Sequence, residues 1–468
     1  MPEAPRGLER EIAARLAARQ QAMERDLAEF VAIPTGTGHE PGLALLRGAF
    51  RARLGALSAE VSEVACDPKP AWITQPGQAA DAAPPAALRA VARGGTGRAV
   101  LITGHLDTVH DPRGAFQMLS RTTGARAEGP GAIDMKGGLV ALLHALETLH
   151  ELAVPVAWTV LLNSDEETGS LHSQRAIRAE ARACAAAGGL GLAMEPALPD
   201  GSLVLERLGS STFRIECEGR AAHAGRDFAQ GVSAVNALAA RILDCARLVD
   251  LEQGTVVNIG PLEGGKATNI VADRARAWGN ARFRDAERED ALKRGLRALT
   301  TAPDAPLPRT RIEYEPNRPA KPETAAVRAL AEEVRAIGAA LGQQVGFGKS
   351  GGASDGNLMQ ADALPTLDTM GPVGGNLHRT DEYIELDTLA PRAAMLAILL
   401  ARQARVPEHG RIRRSTLQAP SVNGRKQESA AEVPHRSKAE SMTTTLHAAQ
   451  TVGAALQSSA AIDGAIRP

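Results

Sequence analysis

The chain has 468 residues, more than one hydrophobic core usually serves, so two domains are expected. Hydrophobic (44%) and charged (23%) fractions are ordinary for a globular protein, and a formal net charge of −1 gives no general pull toward nucleic acid or membrane. No run approaches the roughly 18–20 apolar residues of a membrane span, and the Arg- and Glu-rich start lacks a signal-peptide core. Cys66, Cys184, Cys217 and Cys245 show no CxxC spacing. They read as small buried side chains of a reducing compartment, and a cytoplasmic protein is expected.

Taken in chain order, residues 8–31 carry Leu8, Ile12, Leu16, Met23, Leu27 and Val31 at near-helical spacing and predict one amphipathic helix. Residues 74–97 are rich in Pro, Ala and Gly and read as a long surface loop. "AVLIT" (99–103) is an apolar strand, "KGGLVALLHALETLHEL" (136–152) a helix, and "VAWTVLLNS" (156–164) another buried strand. Two short strands follow, "GGLGLAME" (188–195) and "GSLVLER" (201–207). Such alternation implies an α/β fold with a mostly parallel, helix-covered sheet.

After residue 208 the pattern changes. "STFRIECEGR" alternates, with Phe213, Ile215 and Cys217 on one face. A helix (231–249), strands near 255–260 and 274–284, a helix near 286–300 and a strand at 309–315 complete a βαββαβ, ferredoxin-like insert. One face of its sheet is left for something else to cover. The first pattern resumes through "LPTLDTM" (364–370) to an apolar helix at 388–404. The expected division is 1–207 and 318–405 for the first domain, 208–317 for the insert, and 406–468 as a disordered tail with a weak helix at 443–457.

Polar groups gather at the ends of the expected parallel strands, where open α/β sheets bind ligands. His105 and Asp107 end one strand in "GHLDTVH", and Asp134 lies in the turn "GPGAIDMKGG". Asp165, Glu166 and Glu167 follow another strand, Glu195 ends "GLAMEP", and His378 follows "DTMGPVGGN". One such carboxylate alone is usually a helix cap, and one such histidine usually structural. Eight at the ends of one sheet are hard to explain that way. Imidazole and carboxylate together suit a borderline divalent metal, chiefly zinc. His110, His144, His150 and His172 show no partner pattern and read as structural or exposed. "SGGASDGN" (350–357) is Gly-rich, and Gly351 and Gly352 would let backbone N–H groups approach a ligand.

The ordered set "GHLDTV", "GPGAIDMKGG", "NSDEETGS", "MEP", "GRAAHAG", "TNIVADRARAWGNARFR" and "NLHRTDEY" resembles the zinc-dependent exopeptidases and deacylases over residues 10–405. That group includes glutamate carboxypeptidase, aminoacylase, acetylornithine deacetylase and succinyl-diaminopimelate desuccinylase, and the motifs are most like the glutamate carboxypeptidase branch. The resemblance implies a catalytic domain with an inserted dimerisation and lid domain. It also implies two divalent ions per chain, zinc first, with cobalt or manganese as alternatives. His105 would bind one ion, Asp134 would bridge both, and Glu195 would complete the first site. Glu167 and His378 would hold the second. A cis peptide after Asp134 is implied as well.

Asp107 would then accept a hydrogen bond from the far nitrogen of His105 and fix its tautomer. Adjacent carboxylates repel, so the neighbours need separate partners. Glu167 would be the ligand and Glu166 the general base that passes a proton from water to the leaving amine. Asp165 reads as a solvated acid. The resemblance places His223 at the partner subunit's active site as an oxyanion donor, which implies a homodimer. It places Asn269 and Arg282, on neighbouring strands, against the substrate, with Arg282 taking a carboxylate. Arg284 would share that strand face and compete. The expected activity is hydrolysis of an N-acyl amino acid or short peptide with a free carboxylate by a water that the two metals activate. Within the same fold, a deacetylase or aminoacylase is the alternative. From another class the alternative is a metal-free binding module, against which an intact Glu166 and five ligands argue.

Overall fold

The computed structural model describes residues 7–77 and 83–406, all within one compact unit. The expected tail, with its helix at 443–457, lies outside the described residues. Among those described, no helix is long and apolar enough to cross a membrane.

The central sheet has six strands in the order Glu60–Val64, Ala87–Val91, Val156–Asn163, Thr96–His105, Leu190–Ala193 and Thr366–Leu367. The last four run parallel, and the first two form an antiparallel edge. Alternation along each strand feeds both faces. Val100 and Ile102 enter a large core with the helices Gly7–Ala18, Gln20–Val31, Gly137–Glu151 and Leu389–Gln403. Leu101 and Leu161 enter a smaller core with Gln174–Ala186 and Asp355–Ala361. The α/β expectation is met.

Two elements differ from expectation. The helix expected over 8–31 is broken at Arg19, so Gly7–Ala18 and Gln20–Val31 are separate. Arg19 turns its guanidinium onto Glu147 at 3.1 Å, tying the break to the helix Gly137–Glu151. The loop expected over 74–97 contains the strand Ala87–Val91, and Thr96 already begins the next.

A second sheet holds Thr255–Gly264, Arg274–Phe283, Gly209–Glu218 and Arg309–Arg318 in that order, all antiparallel. Two helices, Ala234–Ala246 and Ala286–Ala298, pack on one face around Phe213, Ile215, Cys217 and Phe283. This core shares no residue with the first. Part of the other face is covered by the stretch that leaves the first sheet after Val64. Asp67 pairs with Arg175 at 2.5 and 2.7 Å, and further on the carbonyl of Trp72 accepts the indole N–H of Trp278 at 2.8 Å.

Candidate metal centre

Three neighbouring parallel strands end together, and each delivers a polar group. His105 is the last residue of Thr96–His105 and is buried. Its Nδ1 lies 2.9 Å from the carbonyl of Asp107, which makes that nitrogen a donor and leaves Nε2 facing Asp134 Oδ1 at 3.3 Å. The Asp107 carboxylate was expected to take the ring hydrogen bond, but its Oδ1 stands 3.5 Å from Nδ1. Instead its two oxygens accept the backbone N–H groups of Glu166 and Glu167, each at 3.1 Å, and Thr37 donates at 3.2 Å. The reason is local. Glu166–Thr168 is a 3-10 turn whose first amides have no acceptor of their own, and a buried carboxylate opposite them takes two charge-assisted bonds. Asp107 therefore positions the two glutamates, while its carbonyl sets the histidine.

Asp165 is not a solvated acid. It is buried and accepts the Ser173 hydroxyl at 2.6 Å and the His172 amide at 2.7 Å, and burial pushes its pKa up to about 6.

Asp134 sits on a distorted turn at Ala132–Lys136, and the Asp134–Met135 peptide is cis. Its Oδ2 lies 3.5 Å from His378 Nε2, which is itself 3.2 Å from Glu167 Oε2. One carboxylate thus stands between two imidazoles. The other Glu167 oxygen is buried with no hydrogen-bond partner. Ligand atoms of His105, Asp134 and Glu167 all lie within 4.8 Å of one another, and so do those of His105, Glu166 and Glu195.

Proton energetics describe a cluster short of positive charge. Burial pushes Glu195 up to about 7, with the Asp134 charge beside it adding to the rise. Burial also pushes Glu166 well up, against the pull of Arg318, and raises Glu167 against His378. Hydrogen bonds to Asp134 and Glu167 raise His378 to about 10. For His105, burial acts downward but the nearby Asp107 and Asp134 carboxylates outweigh it. Four crowded carboxylates, one with an unpaired buried oxygen, and two imidazoles fit a pair of divalent cations in donor type and number.

Three further residues have roles that the sequence did not reveal. Glu382 is buried and accepts the amides of Gly131, Ile133 and Asp134 at 3.3, 3.0 and 3.1 Å, while His110 Nε2 lies 2.6 Å away. His110 is therefore partnered. Arg318, the last residue of Arg309–Arg318, places Nη2 2.7 Å from Glu166 Oε1. Arg207, the last residue of Leu203–Arg207, pairs with Asp368 at 2.8 Å, and Asp368 and Glu195 together raise its pKa against burial. Both arginines stand at strand ends, the signal already used for the acids.

Among the expected substrate contacts, Arg282 lies on the same sheet face as Arg318, since both pair in register with Ser210. Its Nε donates to Asn280 at 3.0 Å, and among the described residues no carboxylate pairs with it. Burial and the neighbouring Arg318 lower its pKa. Arg284 falls beyond the strand end and is held by Asp285 at 3.1 Å and Gln253 at 3.0 Å. Asn269 is not on a strand but in the exposed connection between Gly264 and Arg274. There its carbonyl accepts the Ala224 amide at 2.9 Å, and its neighbour Ile270 bridges His223. His223 is exposed as well, and the structure gives it and Asn269 no contact with the metal cluster. Gly351 and Gly352 follow the strand Phe347–Ser350. The Gly352 amide is engaged by Ser350 Oγ at 3.1 Å, and its carbonyl accepts Arg207 Nη1 at 3.0 Å, so that glycine tethers an arginine instead of offering an N–H.

Carboxylates crowded this closely, with imidazoles among them, need cations. This is the equipment of a metal-dependent hydrolase. The sequence agrees: residues 101–402 match the model of Peptidase family M20/M25/M40, and the chain belongs to that family, a group of metal-dependent amide hydrolases. The resemblance read from the motifs holds at that level. The chain is 26% identical to carboxypeptidase G2 of Pseudomonas sp. (strain RS-16) over 356 residues, covering 75% of this chain and 82% of that one. It is 30% identical to the succinyl-diaminopimelate desuccinylase of Paracoccus denitrificans (strain Pd 1222) over 227 residues, 45% of this chain and 58% of the other. A tripeptidase structure from Staphylococcus aureus shares the fold with a TM-score of 0.63 at 23% identity, covering 82% of this chain and 99% of that one.

Proposed function

We propose that the chain cleaves the amide bond of an N-acyl amino acid or short peptide that carries a free carboxylate, using two divalent ions, zinc first. His105, Asp134 and Glu195 would hold one ion, and Asp134, Glu167 and His378 the other. Bound there, the ions supply a water of lowered pKa and a polarised carbonyl. Glu166 takes the proton of the attacking water and returns it to the leaving nitrogen. The observation that carries this reading is the divergence of two adjacent glutamates. Glu166 turns to Arg318 at 2.7 Å, whereas Glu167 turns to His378 at 3.2 Å and keeps a buried oxygen unpaired.

Arg282 receives the substrate carboxylate. Its half-buried charge without an acidic partner supports that role, because a bidentate guanidinium suits a carboxylate. His223 and Asn269 serve the partner subunit of a homodimer formed through the 208–317 insert, with His223 donating to the oxyanion. Their exposure, and the pairing of the two segments that carry them (His223 with Ile270, the Ala224 amide with the Asn269 carbonyl), support that reading. Four free thiols favour a reducing, cytoplasmic setting.

The test is hydrolysis of a panel of N-acyl amino acids and dipeptides, and of the matching α-amides, by metal-stripped protein with and without Zn²⁺, Co²⁺ or Mn²⁺. Metal-dependent turnover confined to the acids is expected. Turnover without metal, or equal turnover of acids and amides, would contradict the reading.

A further inference from the structure

Two adjacent buried glutamates at the end of one strand need something to tell them apart. The cluster itself does not do so. A Glu166 oxygen lies within the same 4.8 Å group as ligand atoms of His105 and Glu195, so Glu166 is within reach of coordination. Its restraint comes from the other sheet. Arg318 Nη2 lies 2.7 Å from Glu166 Oε1 and 3.0 Å from the Glu166 carbonyl, and so holds side chain and backbone at once. The same nitrogen lies 2.8 Å from Ser170 Oγ and 3.3 Å from Asp355 Oδ1. Asp355 is buried, and its other oxygen accepts the side-chain Nδ2 of Asn163 at 2.6 Å. Asn163 pairs in register with His105, so the chain of contacts closes on the strand that carries a metal-site histidine.

The route by which Arg318 reaches the site is also built in. The pairing of Arg309–Arg318 with Gly209–Glu218 shifts register between Pro316 and Arg318, leaving Asn317 unpaired. Such an irregularity re-aims the side chain that follows. The guanidinium suits the task because it stays charged when buried and its rigid plane fixes where Nη2 points, whereas a lysine ammonium gives up its proton more readily and sits on a flexible stem.

We propose that Arg318, anchored by Asp355 and Ser170, is a positioning residue that holds Glu166 out of the metal coordination and aims it as the base. This rests on the reading of Glu166 as general base. Arg318 Nε is buried without a partner, so the rival role is a direct contact with the substrate carboxylate.

The experiment compares metal-loaded Arg318→Ala, Arg318→Lys, Asp355→Asn, Glu166→Ala and the double variant Arg318→Ala/Glu166→Ala, on the substrate identified by the panel. Metal content and the visible spectrum of the Co²⁺-loaded forms are recorded beside the kinetics. Arg318→Ala should lower kcat by about 10²-fold, within the range of general-base effects, with KM and metal content held. Its Co²⁺ absorption should weaken as Glu166 joins the coordination, and Glu166→Ala in the same background should restore it. Arg318→Lys should recover part of kcat, and Asp355→Asn should lose less than Arg318→Ala. The double variant should be no slower than Glu166→Ala alone, because a residue acting only through Glu166 has nothing left to act on.

A raised KM with kcat held would assign Arg318 to the substrate and overturn the proposal. So would additive losses in the double variant, or a Co²⁺ spectrum indifferent to Arg318. If Arg318→Ala does not fold, Arg318→Lys and Asp355→Asn carry the same comparison. Activity within tenfold of the unaltered enzyme in Glu166→Ala would remove the base reading itself. An inactive Glu166→Ala beside an unimpaired Arg318→Ala would remove this inference alone.

Discussion

Glu382→Gln is the perturbation whose size follows most directly from the structure. The carboxylate is 1% exposed and serves the turn that carries Asp134. Oε1 accepts the amides of Ile133 (3.0 Å) and Asp134 (3.1 Å), and Oε2 accepts Gly131 (3.3 Å) and faces His110 at 2.6 Å. A glutamine that puts its oxygen in place of Oε1 keeps the first two bonds but removes their charge assistance, at about 1 kcal/mol each. Its NH₂ group then faces the Gly131 amide, donor against donor, and one buried unsatisfied donor costs about 1–3 kcal/mol. His110 can adapt by presenting its lone pair. The sum is about 3–5 kcal/mol, large against the roughly 5–15 kcal/mol of a typical domain. Urea unfolding at a fixed free-metal concentration measures it, since bound metal adds its own stabilisation. The midpoint should fall with an unchanged slope, and metal affinity should fall with it because the same turn aims Asp134. A loss below about 0.5 kcal/mol, the scale of an ordinary surface change, would refute the claim that Glu382 holds this turn.

Three further outcomes are expected. Arg282→Ala should raise KM for acids by about 30-fold or more while sparing the α-amides, since a desolvated charge-assisted contact is worth on the order of 2 kcal/mol or more; equal effects on both would remove Arg282 from carboxylate binding. Trp278→Phe should cost about 1 kcal/mol, because it deletes the indole bond to the Trp72 carbonyl while keeping an aromatic ring, and an unchanged urea midpoint would mean that bond holds nothing. Mixing His223→Ala chains with Glu166→Ala chains should restore activity to about one quarter of the unaltered enzyme, since half of the randomly formed dimers are mixed and each has one intact site. Absence of rescue, with subunit exchange confirmed by a tagged chain, would place His223 within its own site or outside catalysis.

The metal centre was legible because its groups stand where periodicity stops. Buried parallel strands read as apolar runs, and His105, Glu166, Glu167 and Glu195 follow directly on such runs. The positions that organise those groups were not legible, because their partners are remote. Glu382 serves amides about 250 positions away, and Arg318 reaches Glu166 across 152. No local pattern marks such contacts. Asp107 shows a subtler limit: its place beside His105 was correct, but only coordinates reveal that the carbonyl holds the imidazole while the carboxylate holds the turn.

Elements failed for equally physical reasons. Apolar spacing runs on through the break at Arg19, since Leu16 and Met23 keep one face buried on both sides of it, so a one-residue interruption leaves no trace in the pattern. The strand Ala87–Val91 is short and Ala-rich inside a Pro-rich tract, where strand propensity is weak, and its neighbours in the sheet decide its conformation. Asn269 was placed on a strand by motif position alone, although it precedes the strand expected near 274–284; the strand begins at Arg274.

Metal content and turnover of Glu166→Ala and Glu167→Ala, measured side by side, test the central claim most directly. If one glutamate is the base and its neighbour a ligand, Glu166→Ala keeps two ions per chain and loses turnover by about 10²–10⁴-fold or more. Glu167→Ala should lose one ion. Turnover within tenfold of the unaltered enzyme in Glu166→Ala, or full metal content in Glu167→Ala, would contradict that division of roles.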